Sequence, residues 1–287
     1  RAHTLSQYLD FVKMLLPFMA CTPQKMTDSG ISEPQDTELS FSISEFVLIP
    51  ERPQDLAFHS NGDLYISTQA GSKLYKSTPN TEAGSVEREE IIGDFNDMIA
   101  IDFMNDTLFF TTSDFGVTGA LCRQTTEEIS ISTEVLATQS TDGTLLRWPV
   151  DIEIVGEQVW IADYEAGALF LWNNEQLEVY SAGQAHPTSL AWHNNELYIG
   201  GEEGIWKRGS SGIPQQVSNR TTLALYSYED KLWGVDSKEL FSLSDELFIL
   251  EPLGRAGAIS ITDDTIFVAD TLGEWVWRLD VEDEDPF

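Results

Sequence analysis

The sequence predicts an all-β fold, a single six-bladed β-propeller, on three observations. The first is the stretch from Val150 to Ala182, where four short apolar runs (DIEI, VWIAD, ALFLW and LEVYS) are separated by tight turns. Strands of this length joined by such turns form a four-stranded antiparallel meander. The second observation is that the pattern recurs along the chain, and the third is that the last repeat lacks an outer strand. One such sheet cannot bury both of its faces, so repeated sheets must pack against each other in a ring.

Six repeats align strand by strand. The innermost strands are predicted at DLAFH (55–59), MIAIDF (98–103), DIEI (151–154), SLAWH (189–193), LALYSY (223–228) and AISI (258–261). The second strands are predicted at 64–68, 108–112, 159–163, 197–201, 232–236 and 266–270, and the third at KLYKS, ALCRQ, ALFLW, GIWKR, ELFSL and WVWRL. Short turns rich in Asn, Asp and Gly join the first two strands each time, because these residues adopt positive φ at low cost.

The N-terminal part of the propeller is predicted to close the ring. The chain ends on the strand WVWRL (275–279) and an acidic tail, so the last repeat needs an outer strand from elsewhere. Glu45–Ile49, within SFSISEFVLIP (40–50), is predicted to supply it, which hides the sheet edges. The expected organisation is a signal-like segment at 1–21, a polar tether at 22–39, the propeller at 40–281 and an acidic tail at 282–287.

The N-terminal segment also predicts a lipid anchor. Phe18-Met19-Ala20-Cys21 resembles the lipobox of bacterial lipoproteins, in which the cysteine is acylated, and the polar stretch after it is typical of a tether. The alternative is an amphipathic N-terminal helix, because Leu5, Leu9, Val12 and Leu16 have helical spacing. The lipobox interpretation predicts an extracytoplasmic protein attached to a membrane only through Cys21.

The charge of the chain excludes one class of partner. There are 48 acidic and 16 basic residues, a formal net charge of −32. Such a surface repels nucleic acids and anionic lipid headgroups, so nucleic-acid binding is not expected. It suits saline surroundings, divalent cations or basic partners.

Two stretches carry a resemblance to known propellers. PQDLAFHSNGDLYIST and ISITDDTIFVADTLGEWVWRLD are similar to the NHL-repeat, YWTD and gluconolactonase-like group of six-bladed propellers, and the similarity covers roughly residues 40–280. This resemblance implies the fold. It implies no single function, since propellers of this group include hydrolases, receptors and scaffolds.

Candidate site residues gather on one face of the predicted disc. The loops that lead into the innermost strands and those that follow the second strands emerge together, and long loops on a rigid scaffold commonly bind ligands. The acidic residues expected there are Glu51, Asp55, Asp94, Asp97, Asp114, Asp142, Asp151, Asp163, Glu202, Glu203, Asp236 and Asp270. Phe115, Trp148, Tyr164 and His186 are the expected aromatic contacts, from the connections at 113–119 and 139–149 and the neighbouring loops.

A carboxylate ring invites a hard cation such as calcium. Asp55, Asp97 and Asp151 are expected to begin corresponding strands and to converge as ligands. The alternative is structural, because aspartates that end strands, such as Asp163, commonly accept backbone N–H groups of the next turn. The gluconolactonase-like group holds one divalent ion through Glu, Asn and Asp, but here its early Glu is missing and His186-Pro187-Thr188 replaces its Pro-Asn-Gly.

Three functions follow. The first is a non-enzymatic, monomeric module that binds a small molecule, glycan or protein at the acidic, aromatic-edged face. The second is a calcium-dependent lactonase or esterase that uses Asp55, Asp97 or Asp151. The third is sugar binding by stacking on Trp148 and Tyr164. No Gly-x-Ser-x-Gly, His-Glu-x-x-His or phosphate-binding loop is present in the sequence.

Overall fold

The structure is a computed structural model that describes residues 40–69, 73–79, 88–91, 97–114, 116–125, 133–173, 175–183, 186–208, 214–244, 247–262 and 265–282. The chain divides into two units between Leu39 and Ser40, and all described residues belong to the second. Cys21, Asp94 and Phe115 lie outside the described residues, so the predictions made for them stay predictions. Within the described part of the chain, no helix is long and apolar enough to cross a membrane.

The described residues form 24 strands in six four-stranded antiparallel sheets, the blades. Blade 1 contains β2 (Pro53–Phe58), β3 (Leu64–Thr68), β4 (Leu74–Ser77) and β5 (Arg88–Ile91). Blade 2 contains β6 (Met98–Met104), β7 (Thr107–Ser113), β8 (Gly119–Thr125) and β9 (Glu134–Ala137). Blade 3 contains β10 (Pro149–Val155), β11 (Gln158–Asp163), β12 (Ala168–Asn173) and β13 (Gln176–Ala182).

The last three blades repeat this order. Blade 4 contains β14 (Pro187–His193), β15 (Glu196–Gly201), β16 (Gly204–Arg208) and β17 (Pro214–Ser218). Blade 5 contains β18 (Ala224–Tyr228), β19 (Lys231–Asp236), β20 (Glu239–Ser242) and β21 (Leu247–Ile249). Blade 6 contains β22 (Ala256–Thr262), β23 (Thr265–Asp270), β24 (Trp275–Glu282) and, from the start of the propeller, β1 (Ser40–Leu48). The predicted fold is confirmed.

The ring closes in the way that the sequence predicts. β1 pairs antiparallel with β24 from Ser40 opposite Glu282 to Leu48 opposite Trp275. Each innermost strand also packs beside the next one, from β2 through β6, β10, β14 and β18 to β22, and β22 returns to β2. The six innermost strands therefore surround a central channel.

Apolar packing between blades supplies the core. The second strand of each blade lies mid-sheet and is almost wholly buried, as at Leu64–Thr68. Phe110, Phe170, Phe241 and Phe267 are fully enclosed. Fourth strands face solvent on the rim, and Arg88–Ile91 is an example. A phenylalanine side chain buries most of its apolar area only when a sheet packs on each side of it. This requirement explains why the repeats hold together.

The predicted hairpin turns have the predicted backbone conformation. Between the first and second strands, positive φ occurs at Gly62, Asn105, Gly156, Asn194, Asn195 and Glu229. Asn and Gly occupy most of these positions because the left-handed region costs them least. These tight turns leave the longer loops, and the candidate residues, on the opposite face of the disc, which we call the mouth face.

Candidate functional site at the channel mouth

Strand register identifies six equivalent positions around the mouth of the channel. Pro53 pairs with Thr68, Met98 with Thr112, and Pro149 with Asp163 at the same point of their blades. Pro187 in blade 4 and Ala256 in blade 6 occupy this same point of their blades. In blade 5, the pairing of Leu225 with Gly234 gives the strand register and so shows which residue occupies that point. The residue just before this point in each blade forms a set that we call the mouth ring: Arg52, Asp97, Trp148, His186, Thr221 and Arg255.

A repeated backbone hydrogen bond supports this equivalence. The carbonyl of the mouth-ring residue accepts an N–H from the loop after the second strand in four blades. The four pairs of acceptor and donor are Arg52 with Gln69, Asp97 with Ser113, Trp148 with Tyr164, and Arg255 with Thr271, at 2.9–3.1 Å. These four blades therefore present their mouth-ring side chains from a fixed backbone.

Trp148, Tyr164 and His186 come together as an aromatic cluster on blades 3 and 4. The Trp148 and Tyr164 ring centroids are 5.5 Å apart in an edge-on arrangement, and those of Tyr164 and His186 are 4.5 Å apart. His186 is exposed and the other two are half-buried. The sequence placed these three residues on one face, and the structure shows that they are neighbours.

Two contacts fix Tyr164 within this cluster. Its hydroxyl donates to Glu202 Oε1 at 2.5 Å, and its carbonyl lies 3.2 Å from His186 Nδ1. Burial raises the pKa of Tyr164, and the bond to Glu202 raises it further, so the phenol stays protonated and donates. Glu202 follows β15 at the same position that Tyr164 has after β11. The cluster is thus held across two blades.

Aspartates that end second strands anchor the loops of the mouth. Asp163 is fully buried and accepts N–H groups from Arg147, Trp148 and Ala166 at 2.7–3.0 Å. Asp270 does the same for Gly254, Arg255 and Gly273 at 2.8–2.9 Å. The structural alternative stated for this type of aspartate is confirmed at both positions. Each fixes the backbone of a mouth-ring residue, Trp148 or Arg255.

Deeper in the channel, four acidic side chains join neighbouring innermost strands. These strands are sheet edges, so some of their N–H groups face the channel without a partner in the sheet. Asp55 accepts from Leu56 and from Ile101 of the next blade, at 2.8 Å each. Asp151 accepts from Ile152 and, across to blade 4, from Leu190 at 2.6 Å. Each carboxylate therefore satisfies N–H groups from two blades.

Asp102 and Glu153 form a second level of these carboxylate bridges, which we define as Asp55, Asp102, Asp151 and Glu153. Asp102 accepts from Phe103 and from Ile154 of blade 3, and Glu153 accepts from Trp192 of blade 4 at 3.0 Å. The sequence reasoning missed both residues. A different alignment of the repeats would have identified both residues. When the repeats are aligned on the buried aliphatic residue directly after Asp55 or Asp151, Asp102 and Glu153 occupy the same position.

The carboxylate bridges share a protonation behaviour. Burial raises the pKa of Asp55 and of Asp102 to about 7, although their backbone N–H donors oppose the rise. Burial, with the charge of Asp102 beside it, raises the pKa of Glu153 to about 8. The pKa of Asp151 is raised well above its usual range by burial and by the nearby Asp55. Near neutral pH the channel therefore holds protons that exposed carboxylates would release.

The described geometry does not supply a set of ligand oxygens for the predicted calcium ion. Both oxygens of Asp55 and of Asp151 accept backbone N–H groups. Asp97 does not begin its strand at their position, because strand register places it with Arg52 and His186 in the mouth ring. Among the described residues, no group of three or more His, Cys, Asp or Glu is arranged to hold a metal ion. Calcium binding stays a prediction.

Three further acidic candidates on the mouth face interact with groups of their own loops or neighbouring strands. Asp142 accepts from Ser140 Oγ at 2.5 Å and from Thr144 N at 3.0 Å, within the turn of the long connection before blade 3. Burial, with the charge of Asp114, raises the pKa of Asp97. Glu51 binds Lys73 and accepts from the Tyr75 hydroxyl. These contacts order the loops around the mouth.

Comparison with known proteins gives the fold. No protein-family model matches the chain, and no curated protein matches it. A putative gluconolactonase structure is similar with a TM-score of 0.70 at 12% identity, over 88% of this chain and 97% of that one. An inactive virginiamycin B lyase from Staphylococcus aureus, solved with quinupristin, gives a TM-score of 0.63 at 14% identity, over 85% and 100%.

A third similar structure comes from a binding complex. The nidogen/laminin complex gives a TM-score of 0.60 at 16% identity, over 74% of this chain and 86% of that one. At these identities the likeness concerns the six-bladed fold alone. The three proteins differ in function, as expected when binding and catalysis depend on loops that each propeller varies independently.

Proposed function

We propose that this protein is a non-enzymatic binding module of the cell envelope or extracellular space. Its ligand is a saccharide that contacts the aromatic cluster of Trp148, Tyr164 and His186 at the channel mouth. The observation that carries the proposal is this cluster: three aromatic side chains from two blades, none fully buried, held at one end of the channel. Aromatic faces with polar groups at their edges suit sugar rings, which have apolar faces and polar rims.

The surroundings of the cluster support a preformed site. Asp163 fixes the Trp148 backbone and Glu202 fixes the Tyr164 hydroxyl, so little conformational entropy is lost when a ligand binds. Glu202 and the Tyr164 hydroxyl also offer hydrogen-bonding atoms beside the rings. The carboxylate bridges support a binding role over a hydrolytic one, because their oxygens already accept N–H groups that hold the blades together.

The test is a screen of the full chain against immobilised oligosaccharides, followed by titration calorimetry of the best binder. Trp148→Ala is expected to weaken binding by at least ~10-fold, which corresponds to about 1.4 kcal/mol. Tyr180→Ala is the matched control, since Tyr180 is an exposed aromatic residue on the rim strand β13. Equal affinity in wild type and Trp148→Ala would contradict the proposal.

The calcium-dependent lactonase or esterase makes a different prediction. A specific cation site gives a saturable rise of the melting temperature with calcium chloride at fixed ionic strength, since fixed salt removes general screening of the −32 charge. The binding module gives the same melting temperature in calcium and in sodium at that ionic strength. A saturable rise that Asp151→Asn abolishes would favour the enzyme, and lactones and esters would then be the substrates to assay.

A further inference from the structure

Six basic residues of the described part of the chain lie in loops, and all six loops are on the mouth face. They are Arg52, Lys73, Arg147, Arg220, Lys238 and Arg255. The described loops of the opposite face contain acids such as Asp106 and Glu229 and no basic residue. The other basic residues of the described part lie in strands, and Arg88, Arg208 and Lys231 stand at strand ends next to the opposite face, so both faces carry positive charge and the mouth face differs in carrying it on loops.

Two of these arginines occupy neighbouring positions of the mouth ring. Arg52 precedes β2 and Arg255 precedes β22, at the same register, and β2 and β22 pack side by side. They lie across the channel from the aromatic cluster, because blades 6 and 1 face blades 3 and 4 in a six-membered ring. The mouth therefore has a cationic side and an aromatic side.

The backbone of Arg52 is fixed by hydrogen bonds, and its side chain makes no ion pair with any residue that the structure describes. Its N–H donates to Ile49, its carbonyl accepts from Gln69, and its φ of 64° is left-handed, a conformation that arginine seldom adopts. Its side chain is exposed and makes no ion pair or hydrogen bond within the described part of the chain. Glu51, the adjacent acid, is already bound by Lys73 at 3.1 Å and by the Tyr75 hydroxyl at 3.0 Å.

Arg220 and Arg255 extend this positive region toward blade 5. The Arg220 guanidinium carbon lies 4.6 Å from the centroid of the Phe241 ring, which orients the group while leaving its N–H edge to bind elsewhere. Burial raises the pKa of Asp236, and the charge of Glu239 adds to the rise, while Arg255 and Arg220 oppose it. The charges of both guanidinium groups therefore act on Asp236. We call Arg52, Arg220 and Arg255 the cationic side.

The net charge of the chain does not prevent local anion binding. At ~0.1 M salt the Debye length is about 10 Å, so remote carboxylates are largely screened, and the local balance is set by the arginines together with the nearby acids Glu51, already bound by Lys73, and Asp236. Arginine binds carboxylates through two parallel N–H···O bonds, which are stronger than bonds between neutral groups. An anionic group placed at the cationic side gains this contact while the rest of the ligand reaches the aromatic cluster.

We propose that the saccharide bound at this mouth is acidic, and that Arg52 and Arg255 bind a sugar carboxylate while another ring of the same chain contacts the aromatic cluster. This inference rests on the proposed function. It names a ligand class, oligosaccharides of uronic acids, which the aromatic cluster alone does not select.

The experiment compares two probes with one carbon skeleton, tri-galacturonate and its methyl ester, by calorimetry on the full chain at constant ionic strength. Wild type is expected to bind the acid roughly 10- to 100-fold more tightly than the ester, the range for hydrogen bonds to charged groups. Arg52→Gln and Arg255→Gln are expected to remove most of this preference by weakening binding of the acid far more than binding of the ester. Arg123→Gln, which removes the same charge from the outer strand β8 and its ion pair with Glu134, is the control.

The outcomes separate the two proposals. If acid and ester bind equally to wild type and Trp148→Ala weakens both, the saccharide-binding function stands and the acidic ligand is wrong. If wild type prefers the acid but Arg52→Gln and Arg255→Gln retain that preference, another group binds the carboxylate and the inference is again overturned. If neither probe binds, the acidic-saccharide inference is overturned, and the immobilised-oligosaccharide screen decides the proposed function by itself.

Discussion

Individual carboxylates in the channel combine two opposing effects. Backbone N–H donors favour the charged form of Asp55, Asp102, Asp151 and Glu153, and burial opposes it. Burial is the larger effect in each case, so the pKa of each group is higher in the folded than in the unfolded chain. The folded state therefore binds more protons than the unfolded state between about pH 4 and pH 8.

This difference predicts the pH dependence of stability. Because the folded pKa values are raised, their contribution is fully present below the unfolded value near pH 4 and is lost as pH rises through about 7 to 8. Glu153→Gln keeps an oxygen acceptor for Trp192 N–H and cannot ionise. We expect its melting temperature to match wild type at ~pH 5 and to exceed it by ~2 °C or more at ~pH 8.5, the shift that about 1 kcal/mol gives in a domain of this size.

Thermal melts followed by circular dichroism at the two pH values check this prediction. Glu157→Gln is the control, since Glu157 is exposed in the turn between β10 and β11 and its substitution removes the same charge. A Glu153→Gln variant that follows wild type at both pH values would show that this carboxylate does not stay protonated in the folded state.

The sequence predicted the position of some candidate residues and not of others, for physical reasons. Trp148, Tyr164 and His186 were found because loop connectivity alone places them on one face. Asp97 was expected to begin its strand like Asp55 and Asp151, but strand register, which follows the buried aliphatic residues, places it three residues earlier, level with Arg52. The sequence did not predict Arg52 and Arg255 as candidate site residues, because its many acids favoured carboxylates as candidates. Only the strand register shows that the two arginines are equivalent.

Strand β1 is the element on which closure of the ring depends. It contributes Phe46 and Val47, both buried, and is followed by Ile49, which is fully enclosed. Burying each such side chain stabilises the fold by about 1.5–3 kcal/mol, and β1 also covers the edge of β24. Its role was predictable from sequence because the last repeat has one strand too few.

Removing this strand should therefore have a large effect. We expect a chain that begins at residue 50 to melt at least ~10 °C below the full chain, since a loss of about 5 kcal/mol gives a shift of that size. A chain that begins at residue 39 retains β1 and is expected to keep the cooperative transition of the propeller. Equal melting temperatures for these two shortened chains would contradict the role assigned to β1.

The charge of the whole molecule predicts a dependence on salt. A net charge of −32 produces self-repulsion that favours the expanded state, and salt screens it. Raising sodium chloride from ~10 mM to ~100 mM shortens the Debye length from about 30 Å to about 10 Å. The melting temperature at pH 7 is expected to rise over this range, as measured by scanning calorimetry.

The same titration at ~pH 4 is the control for charge. Most exposed carboxylates lose a large part of their charge near their usual pKa, so the salt effect is expected to shrink. A rise of equal size at both pH values would mean that salt acts by preferential exclusion from the protein surface instead of by screening.

The carboxylate bridges are distributed unevenly around the ring. They span the junctions between blades 1 and 2, 2 and 3, and 3 and 4. At the corresponding positions, blades 5 and 6 carry Ala224 and Ala258, so the described residues of the remaining junctions form no carboxylate bridge there, and the polar contacts in this part are between neutral groups such as Tyr226 Oη and the Ile261 carbonyl. Partial opening of the ring should begin on that side, and the channel-facing amide hydrogens of Leu225 and Ile259 should exchange with deuterium before those of Ile101, Ile154 and Leu190. One half of the propeller would then resist deformation, and the other half, which contains Arg220 and Arg255, would deform more easily.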